Sequence, residues 1–449
     1  MRVSQNPKDN PHPVTQRAPS FVEALRFWLK LGFISFGGPT GQIAIMHTEL
    51  VEKKKWISET RFLHALNYCM ILPGPEAQQL ATYVGWLLHK TPGGIAAGAL
   101  FVLPSVFILW ILSFVYVGYG KLDWTIAVFH GLKPAVMAIV ALAVIRIGRK
   151  ALKNEIMWLV AAFAFVAIFF FELPFPLIIV AAGVMGFIGG KIWPSKFLVA
   201  KDHPPKDEAS TLINDDDAAV HTKPSLLRAL QVCAVCLSLW LIPIFVLGWW
   251  QGWDGIFFRQ GIFFSKAAMV TFGGAYAVLP YVAQRAVEDY HWLTAGQMLD
   301  GLGLAETTPG PLIMVLQFVG FLGAWNHPGN LSPLMAATLG AFITTWATFL
   351  PCFLWIFLGA PYIEALRGNK NLHAALSSIT SAVVGVVLNL AIWFGLHVLF
   401  STAGSVDWFA AVVCAAAFFG MLKWNWNMVA VVVGAALTGL LFFKLKGLL

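Results

Sequence analysis

Two short motifs, each present twice, hold the residues with most chemical promise. Pro73-Gly74-Pro75 recurs as Pro309-Gly310-Pro311, and both copies lie inside apolar stretches. Proline removes a helix donor and clashes with the preceding turn. Two prolines around a glycine should therefore break a membrane helix into halves. In lipid, the freed backbone groups persist only inside protein or beside a water-filled cavity. The second half would begin near Pro75, with proline at a favoured first position. Its amides and positive dipole end then face mid-membrane, where they attract anions. A kink needed only for packing is the bland alternative; duplication of the motif favours a site.

Polar side chains cluster at these breaks, unequally. Glu76, Gln78 and Gln79 follow the first break, whereas Glu306, Thr307 and Thr308 precede the second. A carboxylate at mid-depth costs about 3 kcal/mol on insertion scales. Glu76 and Glu306 are accordingly candidates for proton coupling, with a local interaction with the helix dipole as the plainer role for Glu76. Phe36-Gly37-Gly38 and Phe272-Gly273-Gly274 read as second breaks or close-contact points. Lys30 and Lys266 precede them at matched positions and could reach an anion or snorkel to an interface. The candidate substrate-binding set is Lys30, Gly37, Gly38, Pro73, Gly74, Pro75, Gln78, Gln79, Lys266, Gly273, Gly274, Thr308 and Gly310. No catalytic, metal or cofactor site is expected. Cys233 and Cys236 form a CxxC on an apolar helix without a second pair or nearby His, which reads as packing.

The elements that must position these residues are membrane helices. The 449 residues are 58% hydrophobic and only 12% charged, against about 25% charged in soluble domains. Thirteen apolar segments follow: about 24–46, 62–88, 94–118, 126–147, 156–172, 175–193, 228–250, 256–283, 296–324, 333–358, 372–397, 406–421 and 425–443. Continuous rather than alternating apolar runs exclude a β-barrel. The net charge of +8 reads as loop Lys and Arg rather than a nucleic-acid surface.

An internal repeat organises the segments. Phe36-Gly37-Gly38, Trp56-Ile57-Ser58 and Pro73-Gly74-Pro75 recur in register as Phe272-Gly273-Gly274, Trp292-Leu293-Thr294 and Pro309-Gly310-Pro311. Glu52 and Glu288 keep the same register, and Leu103-Pro104 matches Leu350-Pro351 after an insertion. Six segments and one extra helix precede the second copy, so it starts from the opposite face. The expected fold is an all-α polytopic membrane protein of about thirteen segments, with two inverted six-helix repeats joined by an extra helix. Its divisions are an N-terminal tail 1–20, a first repeat 21–193, a flexible linker 194–227, a connecting helix 228–250 and a second repeat 251–449. Loop charge puts the N-terminus and linker in the cytoplasm and the C-terminus outside. Lys53-Lys54-Lys55 resists, falling on the external side. The first twenty residues lack an apolar signal-peptide core.

From Phe36-Gly37-Gly38-Pro39 through His47-Thr48-Glu49-Leu50-Val51, Trp56-Ile57-Ser58 and Leu72-Pro73-Gly74-Pro75-Glu76-Ala77-Gln78-Gln79 to Phe101-Val102-Leu103-Pro104-Ser105, the chain resembles the chromate ion transporters in their long two-domain form. The resemblance implies a bacterial inner-membrane protein that exports chromate and confers resistance, with thirteen spans and antiparallel halves. It suggests proton-motive coupling and a link to sulfate, chromate's structural analogue. Sulfate or other oxyanion uptake is the first rival. A membrane-embedded enzyme would need a nucleophile, base or metal constellation, and no HExxH or Walker motif is present. The bilayer is the expected surrounding, nucleic acid is not a partner, and a homodimer is an open partner reading.

Overall fold

The computed structural model describes residues 19–36, 38–197, 225–362, 370–400 and 405–447. Gly37, the tail before residue 19 and linker residues 198–224 lie outside them. The described chain is helical, with one isolated bridge between Phe400 and Val406. Seven helices are long and apolar enough to cross a membrane, and three shorter apolar helices accompany them. The all-α polytopic class is as the hydropathy indicates. Large apolar side chains cover outer faces, such as Leu159 and Phe163 one turn apart, 68% and 73% exposed, as a lipid-facing stripe requires.

The two motifs break their segments and also reverse them. The first segment forms α1 (Phe21–Ile34) and α2 (Gly38–His47), the latter extended by a π turn, Thr48–Lys53. Ser20 caps α1 by accepting from the Glu23 amide. At 1.5 Å per residue these helices are about 21 and 15 Å long, short of a hydrocarbon core of about 30 Å. The chain doubles back between them: Trp56, beyond α2, packs its ring 5.1 Å from that of Phe27 in mid-α1. The second segment does the same with α3 (Glu59–Cys69) and the first arm of α4 (Glu76–Tyr119). Tyr68 lies 6.3 Å from Tyr83 across this pair. At the arm's end His89 Nε2 reaches the Pro19 carbonyl at 2.9 Å, beside the start of α1.

Helix α4 then turns again at His89 and Lys90, where Lys90 has φ +56°. Its second arm lies antiparallel on the first, and Gly85 backs directly onto Gly93 and Ala97. Small residues permit this close approach. The second arm crosses, followed by α5 (Asp123–Ala151), α6 (Glu155–Phe169), α7 (Phe175–Ile192) and the connecting α8 (Leu226–Gln251).

The second copy repeats the plan. Its hairpins are α9 (Ile256–Met269) with α10 (Ala275–Gln284), and α11 (Ala295–Thr307) with α12 (Val315–Asn326). Trp292 packs on Phe263 and Phe264, as Trp56 does on Phe27. The crossings are α13 (Pro333–Gly359), α14 (Lys370–Leu399), α15 (Trp408–Lys423) and α16 (Met428–Leu445).

We call the face holding the start of α1 the N-face and its opposite the C-face. A hairpin enters and leaves by one face, so two hairpins in each copy preserve the parity of two crossings. The inverted relation of the copies is unaffected. Only the loops at 54–58 and 290–294, with their preceding π turns, change face. Lys53, Lys54 and Lys55 thus join the N-face, where Lys54 sits over the Phe27 and Trp56 rings at 5.4 and 4.7 Å.

The helices group into two bodies. One joins α5, α6, α7, α14, α15 and α16; the other joins the four hairpins, the second arm of α4, α8 and α13. They meet chiefly through the second copy's hairpins: α10 and α11 pack on α14, and α11 also packs on α5.

Candidate functional site

All four hairpin tips converge, and the two copies are tied there by matched backbone hydrogen bonds. The Gly74 amide donates to the Thr271 carbonyl at 2.7 Å, and the Gly310 amide to the Ser35 carbonyl at 2.7 Å. Each pair is the other's image in the sequence register. Gly74 and Gly310 have φ of +125° and +108°, a region L side chains rarely adopt. Space enforces glycine as well. A Cβ at Gly74 would lie 2.7 Å from Cys352 Sγ, and one at Gly310 would run into Ser105. Ser105 and Cys352 follow the matched Leu-Pro pairs of α4 and α13.

Between the tips lies a cavity lined by Pro39, Gln42, Pro75, Glu76, Ala77, Ala275, Pro311, Leu312 and Ile313. These residues come from the beginnings of α2, α4, α10 and the 3-10 turn Leu312–Met314 that leads into α12. Four helix starts therefore face one space. First-turn amides have no intrahelical acceptor, and the helix dipoles add positive potential. The cavity holds ≈ 10 Å³, about the room of one water, so an oxyanion would enter only after the tips part.

Of the expected substrate-binding residues, Pro75 lines the cavity. Gly38, with φ +68°, starts α2, and Gly273 and Gly274, with φ +77° and +93°, lead into α10. Pro73, Gly74 and Gly310 form the turns behind the cavity wall. Gln78 and Gln79 are buried beneath the first break: Gln78 Nε2 donates to Thr82 Oγ1 at 3.2 Å and Gln79 Nε2 to the Pro73 carbonyl at 2.8 Å. Their Oε1 atoms are buried without a partner. Thr308 is buried and donates back to Ala305. Lys30 and Lys266 are exposed and stand outside the lining. Phe27, Trp28 and Leu31 take the buried face of α1, which turns Lys30 away.

The two candidate proton-coupling carboxylates differ. Glu76 is half-buried on the cavity wall and makes no side-chain hydrogen bond or ion pair among the described residues. Glu306 is 3% exposed and accepts from Tyr276 Oη at 2.6 Å. Sequence reasoning missed Gln42, which donates to the Gly310 carbonyl, and Tyr276. It also missed a buried network in which Asp300 accepts from Tyr116 Oη at 2.8 Å and lies 3.4 Å from Lys133 Nζ. An aspartate in an apolar segment was the available signal for the last. No group of three His, Cys, Asp or Glu that could hold a metal occurs among the described residues.

The family model described as chromate transporter matches residues 22–187 and 258–440. A chromate transport protein of Cupriavidus metallidurans is 28% identical over 99% of both chains. One from Pseudomonas aeruginosa is 31% identical over 95% of this chain and 94% of its own. A probable chromate transport protein of Synechococcus elongatus is 28% identical over 84% of this chain and 85% of its own. No solved structure matches.

Proposed function

This chain belongs to the chromate transporter family, and from that premise we propose that it exports chromate across the bacterial inner membrane as a secondary transporter. The observation that carries this reading is the cavity faced by four helix starts. A tetrahedral dianion needs convergent donors and positive potential, and such ends at the midplane are a transporter's way of holding an anion.

Orientation follows from charge. Lys53, Lys54, Lys55, Arg61, Lys90, Arg149, Lys150, Lys153, Lys191, Lys196 and Lys423 belong to the N-face by the hairpin topology, against Lys121, Arg259, Arg285, Lys444 and Lys446 at the C-face. The positive-inside rule then makes the N-face cytoplasmic and puts the C-terminal end of α16 in the periplasm. A potential negative inside favours expulsion by about 2.3 kcal/mol per charge per 100 mV.

Glu76 supplies the proton coupling. An ionised carboxylate on the wall of an anion cavity repels a dianion, whereas a protonated one does not. Binding of substrate and of proton are thereby linked at one place, and export of chromate would confer resistance. Glu306, held by Tyr276, is a second carboxylate on this route. The test is labelled chromate flux into inside-out vesicles, with sulfate as competitor and an uncoupler as control. Uncoupler-sensitive accumulation that excess sulfate does not abolish supports the reading. Release of preloaded sulfate from these vesicles, with no chromate accumulation, would replace it with the uptake function.

A further inference from the structure

The stripe of α5 that faces the hairpins changes chemistry along its length. Leu132, Val136, Ile139, Ala143, Arg146 and Lys150 recur at steps of four and three, so they share one helix face. Leu132 and Val136 pack against Gly303 of α11, which fixes the direction of that face. Met137 and Gly148 lie on the opposite side, against Gly395 and Val384 of α14. Towards the N-face the stripe ends in two cations. Arg146 and Lys150 are exposed there and make no ion pair among the described residues.

A second observation relates both cations to the carboxylates of the site. Arg146 is within electrostatic range of the Glu306 carboxylate and the Tyr276 phenol, and Lys150 of Glu76. Side chains tilt towards the N-terminus of their own helix, which for α5 is the C-face end. Arg146 therefore leans from the N-face towards the hairpin tips. Positive-inside anchoring accounts for charge at this helix end, but not for two cations on the one face that points at the site.

We propose that Arg146 and Lys150 form the oxyanion-capturing wall of the route from the N-face, with Arg146 as the residue that binds the anion before it reaches the hairpin tips. Guanidinium presents a planar fork that engages two oxygens of a tetrahedral anion at once. Lysine at 150 contributes a point charge nearer the surface and raises the local concentration of anions. The inference rests on the chromate reading above.

The test uses the full chain, with chromate flux in inside-out vesicles and equilibrium dialysis of labelled chromate against purified protein. Arg149→Gln is the control, because it removes a charge from the same helix end on a different face. Arg146→Gln should raise both KM and Kd at least about tenfold, as expected for losing a charged hydrogen-bonding partner. Arg146→Lys should recover only part of that loss, since the charge returns without the fork. Arg149→Gln should bind as the wild type does. Unchanged chromate binding in Arg146→Gln, or full recovery by lysine, would overturn the inference and leave the chromate reading standing. Failure of the wild-type protein to bind or carry chromate would overturn both.

Discussion

At the first Pro-Gly-Pro break, Met70 is 50% exposed and Ile71, Leu72, Pro73 and Glu76 keep part of their surface. At the second, Thr308, Pro309, Gly310 and Pro311 are buried, and Glu306 is capped by Tyr276. The same contrast holds at the hairpins' outer ends. In the second copy Trp393 Nε1 donates to Glu288 Oε1 at 2.9 Å, which ties the π turn after α10 to α14. In the first copy Glu52 matches Glu288 and Arg146 matches Trp393, yet Glu52 lies 3.3 Å from His47 and is 58% exposed. Two copies of one sequence plan thus occupy two states, closed at the C-face and loose at the N-face. An inverted repeat needs only this difference, exchanged between copies, to open a central site to each face in turn.

The largest effect should come from what the copies share. Gly74→Leu and Gly310→Leu each place a side chain where φ is positive and where Cys352 or Ser105 stands. Strain alone is about 1–3 kcal/mol, and the clash adds to it. Both variants should abolish flux of every oxyanion, measured per unit of protein in the membrane. Normal flux in either would mean that the tips do not meet as described.

The closed latch gives the next effect. Trp393→Ala removes the bond to Glu288 and should raise labelling of cysteines introduced near the C-face side of the tips severalfold. Unchanged labelling would show that the latch does not hold that face shut. The matching test asks whether the loose face can close. Cysteines at positions 52 and 149 should cross-link only when transport is under way, if the turn bearing Glu52 closes on α5 as the turn bearing Glu288 closes on α14. Equal cross-linking in resting and transporting vesicles would contradict an exchange of states.

Glu306→Leu should cost less, about 1–3 kcal/mol, by leaving the buried Tyr276 hydroxyl without its acceptor. Thermal unfolding in detergent reads this directly, and Glu306→Gln should restore most of it. The smallest effect belongs to residues 205–218, outside the described residues, whose composition suits a linker. Shortening them should leave chromate resistance intact. Complete loss at normal abundance would give that segment a role.

The repeat was legible in the sequence because the spacing of its motifs is constant. That register carries through to the paired bonds of Gly74 and Gly310. The turning back of α1 on α2 was not legible. Hydropathy measures the length of an apolar run, and 24–46 is as long as a span whichever way its second half points. The misplacement of Lys53-Lys54-Lys55 was the one trace of it, since a hairpin returns that loop to the basic face. Lys30 matched Lys266 in register, but the buried pattern of Phe27, Trp28 and Leu31 directs it outward. Arg146 did not stand out, because a helix end explains a charge without regard to which face of the helix bears it. Tyr276 and Gln42 were invisible, because their partners come from elsewhere in the chain.

The central claim is that an anion and a proton share the cavity at which four helices begin. Chromate flux into inside-out vesicles of the Glu76→Gln protein, with and without an imposed pH gradient, tests it most directly. Glutamine keeps the size and hydrogen bonding of the side chain but carries no exchangeable charge. The account predicts that chromate still binds and moves, while acceleration by the gradient is largely lost relative to wild type. A Glu76→Gln protein whose flux responds to the gradient as the wild type does would contradict it.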